Sequence, residues 1–245
     1  MTQGIFDRAE LLLGSAAMQR ISEARVIVLG TGGVGSWCAE GLVRSGIRHL
    51  TIVDNDVVSV TNVNRQLMAT TLTVGQPKVQ VLRERLMSIN PDAEIRAIES
   101  TYSEKTSESF ELGTYDFVID CIDSLKNKIH LLMEATRHER PMVLSSMGAA
   151  LKLDTTQIKV GEFWKVRGCP LGSIMRKRMR QRKITLSKPV MCVYSEELLE
   201  NKGVDAVASD DCSYKAQTNG SMVHITGTYG FTLCGLVIAN LQRMG

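Results

Sequence analysis

No C-x-x-C pair occurs anywhere in this 245-residue chain. The six cysteines, Cys38, Cys121, Cys169, Cys192, Cys212 and Cys234, lie scattered. That excludes the usual four-cysteine zinc spacing and argues against a disulfide framework. Nor does a basic region lead into a long apolar run at the start. "MTQGIFDRAELLLGSA" carries acidic residues and does not read as a signal peptide, so the expected location is the cytoplasm. There is no internal repeat and no low-complexity tract. The uncharged stretch 225–241 is short for a membrane span, and its threonines and glycines suit close packing in a core or dimer helix. Membrane contact is therefore not expected. The formal charge of +3 is too small to establish a nucleic-acid partner, so the placement of the basic residues has to decide.

What remains is an ordinary globular composition, 44% hydrophobic and 22% charged, long enough to bury a core. "RVIVLG" (25–30) reads as a buried strand ending at a glycine loop, 33–46 as a helix, and "HLTIVD" (49–54) as a second strand. Further alternation follows. A helix is stopped by Asn90-Pro91, "EIRAIES" and "YDFVIDC" read as strands, 124–140 as a helix and "PMVLSSM" as a strand. This pattern predicts an α/β fold with a mostly parallel, Rossmann-like sheet flanked by helices. It fills 1–150. The remainder, 151–245, reads as an extension completing the same domain. "TTQIKVGEFW" is expected as an antiparallel strand, 173–183 as a basic helix, "VMCVYSEE" as a strand, 201–220 as a mobile loop and 221–243 as a long helix.

Gly30, Gly32, Gly33 and Gly35 would let backbone amides approach phosphate oxygens at a helix amino terminus. Asp54 ends the second strand 24 positions after Gly30, where a carboxylate can bond ribose hydroxyls. These features suit NAD and ATP alike. "DNDVVSVTNVNRQLM" separates them. A triphosphate needs donors beyond the diphosphate, and Asn62, Arg65, Gln66 and then Lys78 are of the right kind. Asp123, just past "FVID", lies where a carboxylate can hold Mg²⁺.

The glycine loop, "DxDxVxxxNxxRQ" (which includes Asp54 and Asp56), "TVGQPK" and "DCID" together resemble the E1-like adenylyltransferase family, whose bacterial members include the ThiF and MoeB types. The resemblance runs from about Phe6 to Ala150. It implies an E1-type adenylation domain and ATP rather than NAD. It also implies Asp54 on ribose, Asp56 among the cofactor-binding residues, Asn62, Arg65 and Lys78 on phosphates, and Asp123 on Mg²⁺. Arg8 matches an arginine that in such enzymes reaches the partner subunit's phosphates, and the resemblance further implies a homodimer. Within the family, "VTNVNRQ" and the zinc-free second half resemble the branch that dehydrates N6-threonylcarbamoyladenosine in tRNA to its cyclic form. Cys169 stands where that branch leads us to expect an acidic residue.

"MRKRMRQRK" supplies the substrate signal. Arg176, Lys177, Arg178, Arg180, Arg182 and Lys183 put six positive charges into eight positions, extended by Lys165 and Arg167. On a helix such charge surrounds most of the surface, and an anionic partner, the tRNA backbone, accounts for it. Three alternatives stand beside this reading. One is an adenylyltransferase for the carboxyl terminus of a ubiquitin-like sulfur carrier. Another is a non-catalytic sulfur-trafficking or scaffold partner with a vestigial ATP site; a sulfur-transfer or helper protein is a candidate partner of this chain. The last is an NAD dehydrogenase. Cys192 and Cys212 are the thiols best placed for a thioester or persulfide, while Cys38, Cys121 and Cys234 read as core residues and His224 as a packed or surface histidine.

Overall fold

The computed structural model describes residues 4–203 and 219–244. Seven strands form one sheet in the order β3-β2-β1-β4-β5-β7-β6. They are β1 (Arg25–Leu29), β2 (His49–Asp54), β3 (Glu94–Glu99), β4 (Phe117–Asp120), β5 (Met142–Ser146), β6 (Ile158–Glu162) and β7 (Val190–Ser195). β1 to β5 and β7 run parallel, and β6 closes the edge antiparallel to β7, with Val160 opposite Val193. The central strands are buried almost throughout, Arg25 at the start of β1 excepted, because helices cover both faces of the sheet.

On one face lie α2 (Ser15–Glu23), α3 (Gly35–Arg44), α4 (Lys78–Ile89) and α7 (Val223–Arg243), enclosing a core that includes Val28, Leu42, Ile52, Leu82 and Tyr229. On the other lie α5 (Leu125–Arg137) and α6 (Pro170–Gln181), with Phe110, Leu132, Val143, Phe163 and Met179 between them and the sheet. α7 crosses α3 at backbone contact. A side chain at Gly230 would sit 2.6 Å from the Val34 carbonyl oxygen. The small residues of the uncharged stretch therefore serve helix packing. Among the described residues no helix is long and apolar enough to cross a membrane. α1 (Asp7–Leu13) differs from the rest: it buries none of its residues, and Leu11 and Leu12 stand 88% and 82% exposed.

Three expectations shift. α6 starts at Pro170, whose missing N–H costs nothing at the first helical position, and it ends before Arg182 and Lys183, the latter at φ 54°. Nor is it charged all round. Gly172, Met175, Arg176 and Met179 form a buried inner face, so charge covers only the outer face. α7 begins at Val223 rather than 221. Of the polar stretch 201–220, residues 204–218, with Asp210 and Cys212, lie outside the described residues.

Candidate nucleotide site

The carboxyl ends of β1, β2 and β4 open onto a pocket of about 630 Å³. It gathers Gly30, Gly32, Gly33, Asp54, Asp56, Asn62, Arg65, Gln66, Lys78 and Asp123 from segments up to 93 positions apart. All the nucleotide-site residues picked from sequence line it except Gly35 and Arg8.

The glycines divide into two kinds. Gly30 has φ 89°, and a side chain on it would meet the Cys121 carbonyl oxygen at 2.6 Å. One on Gly35 would lie 1.9 Å from the Gly30 oxygen. These two let the loop fold tightly against itself and the turn after β4. A side chain on Gly32 would meet nothing closer than Gln66 Nε2 at 3.8 Å, so its absence leaves space on the pocket side. The loop then enters α3, whose amino terminus favours an anion.

Asp54 braces that loop. Its Oδ2 accepts hydrogen bonds from the Thr31 N–H at 2.7 Å and the Thr31 hydroxyl at 3.1 Å, while Oδ1 accepts from the Asp56 N–H at 3.0 Å. A carboxylate has about four acceptor sites, so capacity for a ribose hydroxyl remains. Lys78 is the first residue of α4 and its side chain is only 6% exposed, with Nζ 2.7 Å from Asp56 Oδ2. Asp56, proposed from sequence as a cofactor ligand, is thus the counter-ion of the lysine.

A 3₁₀ turn at Val60–Asn62 sets the next donors. Asn62 Oδ1 accepts from the Ser59 N–H, and the amides of Arg65 and Gln66 both donate to the Asn62 carbonyl. Arg65 Nη1 donates to the Thr61 carbonyl at 2.7 Å and to Asn64 Oδ1 at 3.0 Å, so its fork lies folded along its own loop. Trp37 Nε1 donates to the Arg65 carbonyl, and the Ser36 hydroxyl accepts from the Leu67 amide, tying this turn to α3. Gln66 is buried, and its Oε1 has no partner among the described residues.

Asp123 is exposed in the pocket and makes no hydrogen bond or ion pair among the described residues. An unengaged carboxylate facing a set of cationic and amide donors fits a hard cation shared with phosphate oxygens. No cluster of three or more histidine, cysteine or acidic side chains among the described residues forms a self-contained metal site. Arg8 projects from α1 and does not line this pocket.

Sequence reading missed the far wall. Ser146 to Ala150, Leu171 at the start of α6, and Ser221 complete the pocket. Only their fold neighbours reveal them. Along α6, Lys177, Arg178 and Arg180 are exposed, as are Arg182 and Lys183 just beyond it. Arg180 lies over the Trp164 ring at 5.9 Å. Arg176 departs from the expected phosphate-contacting set. It is 6% exposed, with Nη1 donating to the Phe163 carbonyl at 3.1 Å and Nη2 to the Ser173 hydroxyl at 3.3 Å. Its guanidinium fastens α6 to the segment after β6.

The thiols are also corrected. Cys192 is fully buried in β7, and burial pushes its thiol well up, away from a reactive thiolate. Cys121 borders the pocket, but burial, then the nearby Asp120, push it up to about 12. His224 is a surface residue within 2.9 Å of the Leu153 carbonyl.

Residues 6–184 match the model of the ThiF family. The chain belongs to the ThiF family. Within it, the chain is 41% identical over 192 residues to the tRNA threonylcarbamoyladenosine dehydratase of Bacillus subtilis, covering 78% of this chain and 74% of that protein. It is 38% identical over 205 residues to tRNA threonylcarbamoyladenosine dehydratase 2 of Saccharomyces cerevisiae, 83% of this chain but 45% of the longer yeast protein. Among solved ThiF-type structures, the Escherichia coli tRNA N6-threonylcarbamoyladenosine dehydratase in complex with ATP superposes with a TM-score of 0.85 at 31% identity. That match covers 98% of this chain and 96% of that one. The mostly parallel sheet with its antiparallel edge is therefore the E1-like, Rossmann-type fold expected from sequence.

Proposed function

We propose that this chain is an ATP-dependent tRNA threonylcarbamoyladenosine dehydratase, closing the threonylcarbamoyl group of N6-threonylcarbamoyladenosine into its cyclic form. The observation that carries the reading is the continuity between the pocket and the basic helix. Leu171 of α6 walls the pocket, and Arg180 lies nine residues further along, about 14 Å of helix. A modified nucleoside in the pocket and backbone phosphates on Lys177, Arg178 and Arg180 then belong to one RNA molecule. Relatives bearing this name align over most of the chain.

The chemistry follows from the leaving group. Hydroxide leaves a carboxylate poorly. A carboxylate oxygen of the threonyl group therefore attacks the α-phosphorus of ATP, and the bond to pyrophosphate breaks. The ureido group then attacks the resulting acyl carbonyl, AMP leaves with the carboxylate oxygen, and the net loss from the nucleoside is one water. Asp54 orients the ribose, the glycine-loop amides hold the phosphates, and Asn62, Gln66, Arg65 and Lys78 supply donors as charge develops on them. Lys78 exchanges Asp56 for phosphate oxygens, and Arg65 swings from its own loop. Mg²⁺ held by Asp123 would neutralise phosphate charge. No thiol is required, in keeping with the buried Cys192. A second copy of the chain covers the exposed leucines of α1 and brings its Arg8 to this pocket, making the enzyme a homodimer acting in the cytoplasm.

The test is AMP formation from ATP with tRNA bearing the modified nucleoside. It should require that tRNA and fall steeply in Lys78→Ala. AMP formed only with a Gly-Gly-ended carrier protein would favour the sulfur-carrier adenylyltransferase instead.

A further inference from the structure

Beneath the pocket lies an ion pair that neither the sequence reading nor the proposed chemistry uses. Lys128 and Asp120 are both fully buried, with Nζ 2.8 Å from Asp120 Oδ2. Their remaining bonds converge on the turn between β4 and α5. Lys128 Nζ donates to the Ile122 carbonyl at 3.1 Å, and Asp120 Oδ1 accepts from the Ile122 N–H at 3.1 Å. Both backbone polar groups of Ile122 are thus held by one ion pair. The Lys128 backbone N–H also donates to the Ser124 carbonyl at 2.8 Å. Asp123 lies between Ile122, held by the Lys128 and Asp120 side chains, and Ser124, held by the first backbone bond of α5.

The bracket reaches the neighbouring walls of the pocket. The Ser145 hydroxyl donates to Asp120 Oδ2 at 2.6 Å, joining the turn to β5, whose continuation 146–150 lines the pocket. On the other side Cys121 presses on Gly30, and its N–H donates to the Leu29 carbonyl at 2.8 Å. A buried ion pair is a costly way to gain stability, since an apolar pair of similar volume serves as well. Its selective value here lies in geometry.

We propose that Lys128, through Asp120, is a positioning residue: it fixes both backbone polar groups of Ile122, and so the start of the turn, so that Asp123 stands at the metal–phosphate position. The proposal rests on the reading of Asp123 as the Mg²⁺ ligand. Its first consequence, a rigid turn, does not depend on that reading.

The test uses the full chain with Lys128→Met combined with Asp120→Asn, which removes both buried charges together. Ser145→Ala is a milder cut that keeps the pair. Amide hydrogen exchange of the 121–124 turn, without nucleotide or metal, should rise by about tenfold in the double variant relative to β1 and α7. The Mg²⁺ concentration giving half-maximal AMP formation should rise by about tenfold, with the KM for ATP changed much less. Ser145→Ala should move both quantities the same way by less. Unchanged exchange at the turn in folded protein of either variant overturns the bracket. Faster exchange with wild-type Mg²⁺ dependence overturns its role in placing Asp123. Asp123→Asn is the control. If it leaves the Mg²⁺ dependence untouched, the metal reading itself fails and takes the stated purpose of the bracket with it. Exchange then still reports whether the bracket holds the turn.

Discussion

Two alanine substitutions in the glycine loop should have opposite signatures. At Gly35 the added carbon would lie 1.9 Å from the Gly30 oxygen and 3.2 Å from Cys121 Cβ. Neither neighbour is a flexible side-chain tip, so loop and helix must separate by more than an ångström. Overpacking of this kind costs about 1–3 kcal/mol or more, partly offset by up to about 1 kcal/mol from alanine's better helix propensity. For a chain of this size each kcal/mol moves Tm by roughly 2–4 °C. Gly35→Ala should therefore melt several degrees below wild type by circular dichroism. At Gly32 the added carbon would meet no atom closer than 3.8 Å. Gly32→Ala should melt within about 2 °C of wild type, the ordinary range for a substitution without a clash. Its methyl would occupy the space into which a phosphate must come. ATP affinity by calorimetry should drop by about tenfold or more, which is 1.4 kcal/mol. Wild-type ATP binding by Gly32→Ala would refute the loop as a phosphate cradle. Wild-type melting by Gly35→Ala would refute the packing argument.

Lys78→Ala removes the most buried cation of the pocket and should lower kcat/KM for AMP formation by about a hundredfold or more, comparable to loss of one preorganised charge-stabilising donor. Lys177→Ala, Arg178→Ala and Arg180→Ala together should weaken tRNA binding and flatten its dependence on log salt by about one unit per lost phosphate contact. Arg176→Ala, whose guanidinium is buried, should instead lower Tm and leave that slope unchanged, as measured by filter binding over a salt series. Glu40 faces burial, which raises its pKa, but Arg85 and Arg44 outweigh it and hold the carboxyl below the usual glutamate range. Its stabilisation is present above about pH 4.3 and lost as pH falls through the lower folded value. Arg85→Ala should accordingly shrink the difference in Tm between pH 7 and pH 3. An equal difference in both proteins would contradict the pairing.

The parallel sheet and the pocket's donors were legible because their signals are local. A β-branched run before glycines marks β1, and the stretch after "DND" holds Asn62, Arg65 and Gln66, which line the pocket. What sequence hid depends on three-dimensional neighbours. The side on which a helix packs decides the fate of each arginine in "MRKRMRQRK". Arg176 follows Met175 and precedes Met179 on the buried face, so it turns inward while Lys177 and Arg178 stay out. Asp56 belongs to a legible motif, but that α4 delivers Lys78 to it is visible only in the fold. Nothing in the sequence sets Lys128 apart from Lys126. Only the meeting of β4, β5 and α5 makes it a bracket. Cys192 lost its candidacy for the same reason, since β7 turned out to be an interior strand between β5 and β6.

The most direct measurement weighs the product. The protein is incubated with ATP, Mg²⁺ and tRNA bearing N6-threonylcarbamoyladenosine, and the digested nucleosides are analysed by mass spectrometry. A loss of about 18 Da, one water, is expected; it should require ATP and disappear in Arg65→Ala. An unchanged nucleoside mass, with ATP bound tightly by the same protein, would contradict the dehydratase reading.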